Sequence, residues 1–110
     1  MKSRTSVKKR AGNVGRLSLR LYVAGRLPGS LEAETILRTL CAEHQLGSHE
    51  FEIVDLLQEP NRALADGIIA TPTLVRLSPK PEVRILGALS DLSRVRSTLG
   101  LKAGVKGDHD

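Results

Sequence analysis

Aromatic residues are almost missing from this chain: it has no tryptophan, one phenylalanine (Phe51) and one tyrosine (Tyr22) in 110 residues. The core must therefore be aliphatic, and the stacking platforms that grip single-stranded nucleic acid are nearly absent. Cysteine is as scarce. Cys41 stands alone, so it cannot close an internal disulfide, which excludes a disulfide-stapled scaffold and a multi-thiolate metal site. No apolar run approaches the ~20 residues of a membrane-spanning helix, and none near Met1 has the form of a secretory signal. The expectation is a cytoplasmic protein. No glycine-rich phosphate loop occurs, which leaves nucleotide binding without support.

What is present is one domain's worth of aliphatic residues. A chain of this length buries about two-thirds of the surface its unfolded form exposes. The formal charge is +5, but it is concentrated. Lys2, Arg4, Lys8, Lys9, Arg10 and Arg16 stand in the first 16 residues without an acid, and the remaining eleven cations and twelve acids leave a net charge of −1. Residues 1–16 are thus expected to be a basic disordered tail. As a charge run it is solvated by default; as an arm it could bind polyanions through counterion release, and its lack of acids also suits a transit peptide.

From residue 17 the pattern changes. Leu17, Leu19, Leu21 and Val23 alternate with Ser18, Arg20, Tyr22 and Ala24, the period of a half-buried strand. Gly25, Pro28 and Gly29 make a loop, and Ser30 is expected to cap a helix with the stripe Ala33, Ile36, Leu37, Leu40, Cys41 and His44. Glu34 and Arg38 add a weak pair at helical spacing. Leu46, Gly47 and Ser48 end the helix, and Phe51, Ile53, Val54 and Leu56 form a second strand, parallel to the first. Pro60 opens a short helix through Asn61, Ala63 and Leu64 that Gly67 ends. Thr73–Leu77 and Val83–Leu86 read as a hairpin around Pro79, Lys80 and Pro81. A last helix follows, with Ser90 as cap, Asp91 at its positive end, and Leu92, Val95 and Leu99 on its apolar face. The domain spans 17–101, and 102–110 are expected to be disordered.

This β-α-β-α-β-β-α order, with a proline after Ile68-Ile69-Ala70-Thr71, is similar to the thioredoxin fold, an α/β architecture whose mixed four-stranded sheet carries helices on its faces. Four landmarks narrow the match. Leu21-Tyr22-Val23-Ala24-Gly25-x-x-Pro28-x-Ser30, Val54-Asp55, Ala70-Thr71-Pro72-Thr73-Leu74 and Gly87-x-Leu89-Ser90-Asp91 resemble the KaiB family, from about Leu17 to Leu99. A related domain is the sensory part of a histidine kinase; with no kinase in this sequence, the free-standing form is expected. The resemblance implies a partner, the hexameric ATPase KaiC, and a second, tetrameric arrangement with the order β-α-β-β-α-α-β. It also makes Thr71 and Pro72 the fold-switch and cis-proline candidates, flanked by Ser78-Pro79 and Lys80-Pro81. X-Pro bonds interconvert over tens to hundreds of seconds at ~25 °C, slow enough to time a binding step. Relatives end in an apolar stretch with a tyrosine, whereas Arg96-Ser97-Thr98-Leu99-Gly100-Leu101-Lys102 offers few β-formers, so the thioredoxin-like form is the expected resting state.

The candidate sites divide by chemistry. Dithiol exchange needs two thiols where the first helix begins, and Arg26-Leu27-Pro28-Gly29 stands there instead. Cys41, on the buried stripe, reads as a small hydrophobe, with a remnant peroxidase or reductase using it alone as the enzymatic alternative. His44 and His49 lack partners at zinc spacing, and His109 belongs to the tail. Asp55 has no nucleophile near it and is read as a loop cap. No cofactor, metal or catalytic residue is expected. What the resemblance implies is a partner-binding surface. Arg76 and Arg84 stand where relatives carry a cation, while Glu50 and Glu52 replace an alanine and a lysine, Glu32 an arginine and Gly67 a lysine. Reversing an interface charge can cost several kcal/mol with the old partner. The expectation is a non-catalytic adaptor for a KaiC-like RecA-type ATPase, itself a dimer or tetramer; the alternatives are an interaction module in stress signalling and a nucleic-acid binder using the basic arm.

Overall fold

The computed structural model describes residues 16–87 and 89–101. The two expected tails, apart from Arg16, and Ala88 lie outside them. The elements are β1 (Ser18–Val23), α1 (Pro28–Glu43), β2 (Phe51–Asp55), α2 (Asn61–Ala65), β3 (Thr73–Ser78), β4 (Val83–Leu86) and α3 (Leu92–Leu99). This is the thioredoxin-like order read from the sequence, and the described residues do not take the alternative β-α-β-β-α-α-β order.

The sheet runs β2-β1-β3-β4. β1 lies between a parallel neighbour and an antiparallel one, with Leu21 opposite Ile53 on β2 and Leu74 on β3. A parallel neighbour next in sequence requires a long crossover, and α1 supplies it. β3 and β4 need only a short connection because they are antiparallel. The peptide bonds Thr71-Pro72, Ser78-Pro79 and Lys80-Pro81 are cis.

Alternation along β1 separates two cores. Leu19, Leu21 and Val23 join Leu74 beneath Ala33, Ile36, Leu37 and Leu40 of α1 and Val95 and Leu99 of α3. On the opposite face Tyr22, Val54 and Val75 pack with Leu56, Ile68 and Leu77. That second face is thinly covered, since α2 has five residues and none is buried. Tyr22, read as the solvent side of a half-buried strand, is only 2% exposed: a central strand has both faces covered here.

Two helix starts differ from the sequence reading. α1 begins at Pro28, after an extended Leu27 that makes no side-chain cap. Proline's fixed φ and missing N–H suit the first helical position, so the helix starts ahead of Ser30. Ser30 is buried in the first turn, where its hydroxyl accepts from the Ala24 N–H at 3.4 Å and ties the end of β1 to the helix. For α3 the cap is Asp91, not Ser90, because the Asp91 carboxylate reaches the Arg94 N–H at 3.1 Å. Gly100 closes α3 in the left-handed region, with Leu101 N–H donating to Arg96 O.

The ends of α1 and α3 are clamped together. Arg96 donates Nε to Glu43 Oε1 at 2.9 Å, and its Nη2 meets the other oxygen, a two-point contact shielded from most solvent. The local pair Glu34–Arg38 is looser at 3.9 Å and more exposed.

Leu37 is fully buried between α1 and the sheet, whereas Leu64 of α2 is 87% exposed. Leu37→Ala is expected to lower the unfolding free energy by about 2–5 kcal/mol through lost transfer energy and a cavity. Leu64→Ala should stay within about 0.5 kcal/mol of the parent. Urea denaturation of both variants measures the contrast.

Candidate partner-binding surface

The loop joining β1 to α1 sits where redox relatives of this architecture would need thiols. Arg26, Leu27, Pro28 and Gly29 are exposed there, and Gly29 lies beside Pro72, where a Cβ would sit in ordinary contact with its ring at 3.9 Å. Cys41 is elsewhere, on the buried side of α1, and burial pushes its thiol above the ordinary value against the pull of Arg38. A thiol held protonated is a poor nucleophile. Asp55 works as the loop cap read from the sequence: its Oδ1 accepts from Gly25 N–H at 3.0 Å and Leu57 N–H at 2.9 Å. His44 ends α1 half-buried and His49 is exposed; among the described residues no group of three or more metal-binding side chains forms.

The four residues marked as partner contacts are not brought together. Arg76 points to the α3 side of the sheet, where Nη1 donates to Leu99 O at 2.6 Å and Nη2 to Pro81 O at 2.7 Å. It therefore satisfies an orphan carbonyl at the C-terminus of α3 and holds the hairpin loop. Arg84, one strand over and on the opposite face, does the same for α2: it donates to Gly67 O at 3.0 Å and Asp66 O at 2.8 Å, and pairs with Glu82 at 2.9 Å. Glu50 is 8% exposed. One oxygen accepts from Gly47 N–H at 2.8 Å and the other meets Arg16, so the last residue of the expected tail is held to the domain. Ser78 Oγ adds a bond to Arg16 O at 2.8 Å.

Glu52 belongs to a network that the sequence reading missed. It accepts from Arg20 Nε at 2.8 Å and lies 3.4 Å from Arg62, which also reaches Glu59 and Asp66. The Tyr22 hydroxyl donates to Asp66 Oδ2 at 2.7 Å. The spacings Glu59–Arg62 and Arg62–Asp66 were a visible helical signal. Tyr22–Asp66 had none, since 44 positions separate them. A shallow depression of about 210 Å³ lies over Val75 and Leu77, flanked by Arg20, Asp66, Glu82 and Arg84.

This face offers fixed charges of both signs over an apolar floor and no nucleophile paired with a base, an arrangement suited to recognising a charged protein surface. At the end of the sheet where β1 and β2 finish and β3 begins, Leu27, Leu57 and Ile69 are exposed on three adjoining loops. A single apolar residue on a surface is ordinary, but several on neighbouring loops suit protein contact. No helix among the described residues is long and apolar enough to cross a membrane.

The KaiB domain family model matches residues 20–101. A circadian clock oscillator protein KaiB of Synechococcus sp. (strain RCC307) is 43% identical over 83 residues, covering 76% of each chain. Another, from Gloeothece citriformis (strain PCC 7424), is 40% identical over 76% of this chain and 78% of its own. Among solved structures, the thioredoxin of Fasciola hepatica superposes with a TM-score of 0.63 at 25% identity, over 86% of this chain and 88% of that one. The N-terminal domain of Synechococcus elongatus SasA superposes with a TM-score of 0.57 at 17% identity, over 96% of both.

Four carboxylates are held below the usual range: Glu43 chiefly by Arg96, Glu50 by the Gly47 N–H, Glu52 by Arg62, and Asp66 by the Tyr22 hydroxyl. A depressed carboxyl contributes stability that is fully present above its unfolded value, near ~4 for Asp and Glu, and is lost as pH falls through the folded value. Stability should therefore decline from about pH 5 downward. Glu50→Gln is expected to lower stability at neutral pH and to make that acid decline shallower, read from denaturation midpoints across the pH range. A decline as steep as the parent's would remove Glu50 from the set.

Proposed function

Because this chain belongs to the KaiB family, we propose that it acts as a clock or signalling adaptor without catalysis of its own, docking on a KaiC-like RecA-type ATPase and modulating its phosphorylation or ATPase cycle. The observation that carries this reading is the family match across nearly the whole domain, with relatives named circadian clock oscillator protein KaiB. The absence of paired thiols at the Arg26–Gly29 loop supports a binding role over dithiol exchange. The same reading places the protein in the cytoplasm and allows a dimer or tetramer in the family's alternative fold.

Within it, Glu52 and Arg84 contact the partner directly, from the charged face beside α2. Arg76 and Glu50 contribute through the backbone they hold: the α3 terminus and hairpin loop for Arg76, the turn before β2 for Glu50. Glu52, locked to Arg20 and Arg62, is a fixed negative group where a lysine is expected in relatives. That charge favours a second reading, an interaction module of stress signalling with a different protein partner.

Affinity capture from host lysate with the full chain as bait, in ATP and then in ADP, separates the two. Recovery of a KaiC-like ATPase, reduced by Arg84→Glu with an unchanged circular dichroism spectrum, is the expected result. Recovery of other regulators, with no such ATPase in either nucleotide, would overturn the adaptor reading in favour of the second.

A further inference from the structure

β4 forms one outer edge of the sheet. Gly87 N–H donates to Pro72 O at 2.9 Å, and Leu86 stands opposite Thr73. Antiparallel pairing alternates, so this bond fixes the phase: Val83 and Ile85 turn their backbone groups toward β3, and Arg84 and Leu86 turn theirs away from the sheet. β4 is the last strand on its side, and no backbone partner for the Arg84 and Leu86 groups occurs among the described residues. An edge of this kind is a template for an added strand.

Beside the edge runs a groove of about 300 Å³ between β4 and α3. Ile85 and Val95 form its aliphatic floor, and both belong to the core beneath α3. Leu86 borders it and is 46% exposed. Asp91 and Arg94 stand on the rim. Their availability differs. The Asp91 carboxylate is engaged by the Arg94 backbone N–H, whereas the Arg94 guanidinium has no partner among the described residues. The rim carries charges of both signs, and the side chain with unused donors on it is Arg94.

We propose that the β4 edge and this groove bind an extended segment of a partner protein. The segment pairs its backbone with Arg84 and Leu86, seats an aliphatic side chain on Ile85 and Val95, and sets a carboxylate against Arg94. Strand addition supplies affinity through the main chain, and alternate side chains entering the groove supply specificity. The occupant is an extended peptide and not a helix, because only an extended chain satisfies the outward N–H and C=O groups while reaching the groove with every second residue. The proposal goes beyond the adaptor reading and does not depend on which ATPase is bound.

The test uses the full chain and a displayed library of short linear peptides of random sequence. Selected peptides are expected to share an aliphatic residue near an acidic one, and titration of the labelled protein should shift the amides of Val83–Leu86 and Leu92–Leu99. Leu86→Pro removes one outward N–H without removing a bond to β3, and should weaken the peptide about tenfold while the melting temperature holds. Arg94→Glu, at an exposed position, should turn the selected acidic residue into a basic one, and it decides the matter if Leu86→Pro does not fold. An empty selection, shifts confined to another surface, or unchanged peptide preference in Arg94→Glu would overturn the proposal. None of these outcomes involves the ATPase, so each is distinguishable from failure of the adaptor reading.

Discussion

The fold hangs on β1, the strand that carries two sets of ladder bonds at once. It pairs in parallel with β2 and antiparallel with β3, so every position from Leu19 to Val23 is fixed from at least one side and most from both. Side-chain alternation then has no freedom left. A slip of one residue would carry Leu19, Leu21 and Val23 to the face where Tyr22 now packs, and put Arg20 under α1. The crossover helix, the two cores and the position of each loop follow from that register.

The charged residues follow from it too, in a way that changes how this surface is understood. Arg76 and Arg84 lie on neighbouring antiparallel strands, at positions of opposite parity, and so face opposite sides. Each finds a helix that ends beside it and donates to carbonyls that the helix cannot satisfy itself. Guanidinium suits this because its donors diverge in a plane, which lets Arg84 hold two successive carbonyls and a carboxylate together. Glu50 does the corresponding work with N–H groups before β2, and Asp55 after it. Much of what reads as interface charge is therefore architecture, and what stays turned outward is Glu52, the flank of Arg84 and, separately, the unpaired backbone edge of β4.

The two faces of the sheet are unequal for a related reason. α1 brings a long apolar stripe and α3 adds Val95 and Leu99, so most of one face is covered, while α2 is too short to bury a residue completely. Ion pairs and the Tyr22–Asp66 bond take over on that side, roofing Val54 and Val75 with charged side chains whose stems are apolar. Such a roof gives less stability than a packed helix, since exposed pairs contribute little. It leaves the α2 face polar and open, and the end bearing Leu27, Leu57 and Ile69 apolar.

The order of elements, the strand spans to within a residue or two, the buried stripe of α1 and the family were legible in the chain itself, because each rests on a local signal: period two in β1, period 3.6 in α1, Pro28 and Pro72 at fixed places in motifs. The helix starts were less so. Ser30 and Ser90 have the right chemistry for caps, but Pro28 and Asp91 compete within two residues, and only the backbone path decides between them. The candidate site was least legible. The family resemblance singled out Arg76, Arg84, Glu50 and Glu52, yet not what each touches. Arg76–Leu99, Arg16–Glu50 and Tyr22–Asp66 join positions 23, 34 and 44 apart, and no periodicity encodes such pairs. The sequence by itself determined which residues could be buried and in what order the chain would turn. Tertiary structure alone decided which charges would be consumed inside the fold and which would stay turned outward, because that depends on where distant helix ends and strand faces come to rest.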